Sequence, residues 1–218
     1  KSYGLEKKIT EAKHGDLFKK FPEFTVVGPS PDFYNQNLAA LKEEAILEDV
    51  KKDLESKIID RNLLSEMIAE VLPQKVLNQN PCVMLEKSSI RNGVSATNMV
   101  SIVTMLKIGT KKFLFTGDSG IESFEKHTTD WKKSLKDLFF LVVPHHGSKN
   151  NTSSEMLSVF NPVHSFVSGQ GNFNRPSLMI EQCMKSKTRL KTFEVTNRIP
   201  ETWYLSINEK GVVKRVLE

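Results

Sequence analysis

Asp118, His145 and His146 are the residues of this chain whose type and spacing best suit them to chemistry. Asp118 closes the run Lys-Lys-Phe-Leu-Phe-Thr-Gly-Asp-Ser at 111–119. The two histidines close Phe-Phe-Leu-Val-Val-Pro-His-His-Gly-Ser at 139–148. Each apolar run ends abruptly in groups that hold divalent metal ions, a carboxylate in one case and imidazoles in the other. A metal ion held there would activate a water for hydrolysis. Taken alone, Gly117-Asp118-Ser119-Gly120 also reads as an ordinary turn; taken with the histidine run, Asp118 reads as a ligand. Adjacent side chains on an extended backbone point to opposite sides. One histidine is therefore expected to ligate, His145 first because it follows the apolar run directly. The other would pack, hydrogen-bond or touch substrate.

The neighbouring polar residues suit an anionic substrate. Ser148, Lys149 and the following Asn150-Asn151-Thr152 form a polar loop before a helix expected at 153–160. That helix start would add backbone N–H groups toward phosphate; the competing reading is a solvated loop. Arg175, in Phe173-Asn174-Arg175-Pro176, would clamp an anion or lie at the surface in a proline turn. Asn98 is expected to brace the loop behind the site. His127 and His164 read as structural, and His14 carries no signal.

These motifs resemble the back half of a metallo-β-lactamase-fold hydrolase, in the branch that contains the hydrolase domain of ComEC-type DNA-uptake proteins. The branch carries Asn-x-x-Ser, Thr-Gly-Asp, His-His-Gly-Ser and an aromatic-x-His-Pro. Here the matches are Asn98-Met99-Val100-Ser101, Thr116-Gly117-Asp118 and His145-His146-Gly147-Ser148. The fourth element departs from the pattern, with Arg175 in place of histidine. The resemblance covers 97–218, with a weaker extension over 14–31. It implies an αββα fold and two divalent metal ions, zinc or manganese, with Asp118 and His145 or His146 among the ligands. It also implies phosphodiesterase or nuclease activity on nucleic acid or a nucleotide. The family's His-x-His-x-Asp-His signature is absent from the five histidines. With Lys1 rather than Met at the start, the expectation is a C-terminal portion whose partner is the N-terminal half of the same fold. A degenerate, metal-free interaction domain is the other account. A peptidase or amidohydrolase of the same fold, within a defence or signalling protein, is the rival enzyme.

The elements that must position these residues emerge from patterning. Phe24-Thr25-Val26-Val27 reads as a strand stopped by Gly28-Pro29. From 98 onward, strands are expected at 99–108, 112–116, 139–143, 163–168 and 191–196. Helices are expected over 121–138, 153–160 and 177–184. Strand and helix alternate, which predicts an α/β sheet, and a hairpin of 203–207 with 212–217 is expected to add an antiparallel edge. Between the two parts, 35–96 reads as a helical insertion. Helices are expected near 37–57 and 60–72, followed by a mobile loop at 85–97. The chain thus divides into a hydrolase portion, 1–34 and 97–218, and the insertion, which is expected to project as a helical element with an apolar face; such helices more often complete a core, and a surface for a partner or a second copy is the alternative.

Lysine and arginine total 31 against 26 acidic residues, a net charge of +5. That suits an anionic substrate and equally a solvated surface. No run approaches the roughly 20 apolar residues of a membrane span. Cys82 and Cys183 lie too far apart to be a metal-spacing pair, so free thiols in a reducing, cytoplasmic setting are the expectation.

Overall fold

The computed structural model describes residues 17–18, 21–55, 80–88, 94–125, 130–169, 175–196, 203–207 and 213–217. His14, His127, Phe173, Asn174 and the helix expected at 60–72 lie outside them. Strands β1 (Leu17–Phe18) and β2 (Phe21–Gly28) open the fold, and helix α1 (Pro31–Glu55) comes after them. Next come two short helices, α2 (Pro81–Ser88) and α3 (Ala96–Met99), and strands β3 (Val103–Ile108) and β4 (Lys111–Phe115). Helices α4 (Ile121–Glu125) and α5 (Trp131–Ser134) lead to β5 (Phe140–Val142). Helix α6 (Ser154–Phe160), strand β6 (His164–Val167), helix α7 (Leu178–Lys185) and strand β7 (Thr192–Val195) complete the alternation. Strands β8 (Trp203–Ile207) and β9 (Val213–Leu217) close the chain.

The α/β expectation is met by a mixed sheet in the order β1-β2-β3-β4-β5-β6-β7. β1 to β4 are antiparallel neighbours, and β4 to β7 run parallel. The crossovers from β4 to β5 and β5 to β6 are helical, as parallel pairing requires. Parallel pairing of β4 with β5 also sets their tips at one edge. The closing hairpin pairs only with itself among the described residues. The expectation that it extends the main sheet is corrected; the antiparallel strands lie at the opposite side.

Register assigns the two faces of the sheet. Val103 and Met105 of β3, Leu114 of β4, Leu141 of β5 and Val167 of β6 enter one buried cluster with Leu85, Phe124, Trp131, Leu157, Phe160, Ile180 and Met184 from the helices. Side chains alternate along a strand, so Leu106, Phe115, Phe140, Val142 and Phe166 fall on the other face. These five are half-buried, whereas the cluster residues are almost fully so. Phe113 shares this second face and packs edge-on to Phe139, with ring centroids 5.3 Å apart.

Two expectations for the middle of the chain are corrected. Within 85–97, residues 85–88 and 96–97 are helical rather than loop. Asn80 Oδ1 accepts from the Cys82 N–H at 2.9 Å, and Pro81 occupies the first helical position, a start signal that carries α2 through Ser88. Leu85 is fully buried in the main core, and α2 packs on α7 and α6. The strand expected from Met99 starts later, because Ser95 Oγ accepts from the Asn98 N–H and caps α3 first. The free-thiol expectation also fails. Cys82 and Cys183 form a disulfide that ties α2 to α7, which removes the ground for a reducing, cytoplasmic setting. Among the described residues no helix is long and apolar enough to cross a membrane.

His164 is structural, as expected. Its Nδ1 lies 2.9 Å from Thr192 Oγ1 and its ring meets Phe139 edge-on. Burial lowers its proton affinity below the ordinary histidine value, and the Lys191 and Lys111 ammonium groups lower it further. The unfolded chain therefore takes up this proton first as pH falls, starting at about pH 6.5. Stability is fully present above that point and declines as pH drops toward the folded-state value. Urea midpoints measured at decreasing pH are expected to fall through this window, and more shallowly in His164→Gln.

Candidate active site

The sheet places the candidate residues at the carboxyl ends of its parallel strands, where open α/β sheets bind their ligands. The tips of β4 and β5 are tied twice. Thr116 Oγ1 donates to the Val142 carbonyl at 2.7 Å, and the His145 N–H donates to the Gly117 carbonyl at 3.0 Å. Asp118 and His145 therefore sit side by side at one edge.

The histidines do not stand on extended backbone. Pro144–Gly147 is a tight turn in which His145 (φ 46°, ψ 54°) and His146 (φ 57°, ψ 26°) are both left-handed. This corrects the argument that they must face opposite ways; their ring centroids are 5.8 Å apart. Left-handed backbone costs an L-residue about 1–2 kcal/mol. Two such residues in succession, neither of them glycine, mark a turn held by its surroundings, a feature concentrated at functional sites. Gly147 is next, at φ 77°. Its carbonyl accepts from the Ser177 N–H at 2.9 Å, which brings the Arg175-Pro176 segment against the turn.

Each ring is pinned through Nδ1. His146 Nδ1 hydrogen-bonds the Ser168 carbonyl beyond β6. His145 Nδ1 lies 3.1 Å from Asn151 Oδ1 and 3.4 Å from Asn98 Nδ2. Asn98 thus reaches the histidine turn from α3. Burial lowers the proton affinity of His145; the Arg175 guanidinium and His146 lower it further, against the Asp118 carboxylate and the Asn151 hydrogen bond. Asp118, His145, His146, Arg175 and Asn151 thus form one electrostatic neighbourhood. It favours neutral imidazole, the form that binds metal.

The polar loop divides. Ser148 and Lys149, next to the histidine turn in the chain, are half-buried. Asn151, Thr152 and Ser153 are almost fully buried and hold the fold together. Ser153 caps α6, its Oγ accepting from the Met156 N–H at 3.1 Å. The start of α6 was expected to receive phosphate. Instead it receives Glu86 of α2, whose Oε2 accepts from the Ser154 N–H at 3.2 Å and the Ser154 hydroxyl at 2.7 Å. A carboxylate from the same chain satisfies the helix dipole there. The residue that sequence reasoning undervalued is Asn151, placed in the loop only as a polar member. Its signal is spatial, since its partners are Asp118, Ser119 and His145.

One carboxylate and one or two imidazoles are the right types for zinc or manganese. Among the described residues, however, no group of three or more histidine, cysteine, aspartate or glutamate residues comes together. A catalytic zinc takes three protein ligands, so these residues fit part of a metal site. No family model, curated protein or solved structure matches the chain.

Proposed function

We propose that this chain supplies one wall of a metal-dependent hydrolase site that acts on phosphodiesters of nucleic acid or a nucleotide. The observation that carries the reading is the strained histidine turn, with His145 pinned beside Asp118 at the carboxyl edge of the parallel strands. Asp118 and one of the two histidines, His145 or His146, are the residues that would hold divalent metal, zinc or manganese. When bound, such ions supply a hydroxide at neutral pH and polarise the scissile phosphoryl group. The remaining ligands come from outside the described residues. The half-buried second face of the sheet, with Phe115, Phe140 and Phe166, supports this, because it suits packing against a further layer such as the N-terminal half of the same fold.

The chain's own residues hold the substrate and set charge. Arg175 offers planar donors to the non-reacting oxygens of a phosphodiester. Lys149 and Ser148 extend that contact along the loop, and Asn98 keeps the histidine turn in place. The test is hydrolysis of DNA, RNA and a simple phosphodiester by the full protein with zinc or manganese, beside a peptide control. Arg175→Ala is expected to lower kcat/KM by roughly tenfold, the loss of one charge-assisted hydrogen bond. Nucleic-acid affinity is expected to fall steeply with added salt. Salt-independent binding, or an Arg175→Ala variant as active as the parent, would replace this reading with the peptidase or interaction-domain alternative.

A further inference from the structure

We propose that Asn151 is the positioning residue of this site. It fixes His145 as the Nδ1–H tautomer and joins the His145 turn to the Asp118 turn. Asn151 is 1% exposed, so both ends of its amide need partners within the protein. Its Nδ2 lies 2.9 Å from the Asp118 carbonyl and 3.3 Å from the Ser119 carbonyl. Backbone carbonyls only accept, so the end of the amide facing them is the NH2 group. The end facing His145 Nδ1 at 3.1 Å is therefore the oxygen, which only accepts. His145 Nδ1 must then carry the proton, and the lone pair of the neutral ring is on Nε2.

Asn98 cannot reverse this. Its amide reaches the same Nδ1 at 3.4 Å but, among the described residues, has no pair of carbonyls to set its direction. Half a turn about its terminal bond presents oxygen instead of NH2, so Asn98 adapts to the tautomer that Asn151 dictates. One buried amide thus holds the backbone of one candidate ligand and the tautomer of the other. Orienting groups of this kind set the direction and basicity of ligating imidazoles. This purpose rests on the metal-site reading; the tautomer itself does not.

The experiment is ring-nitrogen NMR of the full chain labelled with 15N-histidine, without metal, at about pH 8, where imidazole is neutral. His145→Gln assigns the signals. His145 is expected as Nδ1–H in the parent and in Asn98→Ala. In Asn151→Ala the Nε2–H form is expected to become the major one. Metal affinity of the full protein is then expected to fall roughly 10- to 100-fold in Asn151→Ala. Parent His145 in the Nε2–H form overturns the inference whether or not any variant folds, as does an Asn151→Ala chain that keeps Nδ1–H. A change of tautomer in Asn98→Ala would transfer the role to Asn98. A chain locked as Nδ1–H that hydrolyses no phosphodiester upholds this inference and overturns the hydrolase reading alone.

Discussion

Asp118→Asn is expected to lower phosphodiester hydrolysis by the full protein roughly a thousandfold. A metal-held reaction takes several kcal/mol of its transition-state stabilisation from the ions, and about 4 kcal/mol corresponds to three orders of magnitude. The amide keeps the shape of the side chain but loses the charge. The fold should survive, because the contact binding residue 118 to the buried Asn151 is made by its backbone carbonyl. Metal content and thermal unfolding are to be measured beside the rate. Lower metal content with an unchanged transition supports the assignment. Full activity in Asp118→Asn would reduce Gly117-Asp118-Ser119 to a plain turn and sink the hydrolase reading.

Gly147→Ala is expected to have the largest effect on stability. A methyl group there would stand 2.5 Å from Pro176 Cβ and 2.9 Å from Pro176 Cα, and the backbone is at φ 77°. The left-handed conformation costs about 1–2 kcal/mol for a residue with a Cβ. Relieving the overlap adds about 1–3 kcal/mol, since Pro176 is buried and rigid. Gly109 separates the two costs. It has φ 58° with nothing within 4 Å of its added Cβ, so Gly109→Ala should show the conformational cost alone. Denaturant midpoints of the two variants check this. Equal losses in both would mean that the Pro176 contact yields freely.

The core of the site could be read from sequence because its signals are local. Runs such as Phe113-Leu114-Phe115 and Phe140-Leu141-Val142 are long enough to declare strands, and the residues just past each run necessarily stand at a strand tip. The Ser153 cap is equally local, as its hydrogen bond spans three residues. The contacts that organise the site span far more chain. Asn151 reaches back 33 residues to Asp118, and Glu86 reaches forward 68 to Ser154. A polar loop and a short helical run show neither partner in advance. The left-handed pair at His145 and His146 was invisible for a different reason. Only glycine advertises that conformation, and here tertiary contacts impose it on histidine. The loop reading failed at 85–88 because polar composition outweighed a start signal, Asn80-Pro81, that was present.

The disulfide has a topological consequence. Asn98, Asp118, His145, His146, Asn151 and Arg175 all lie between Cys82 and Cys183, within a covalent ring, whereas β1, β2 and α1 lie outside it. A single backbone cut inside that ring opens it without releasing a fragment. The two pieces stay joined until a thiol reductant separates them.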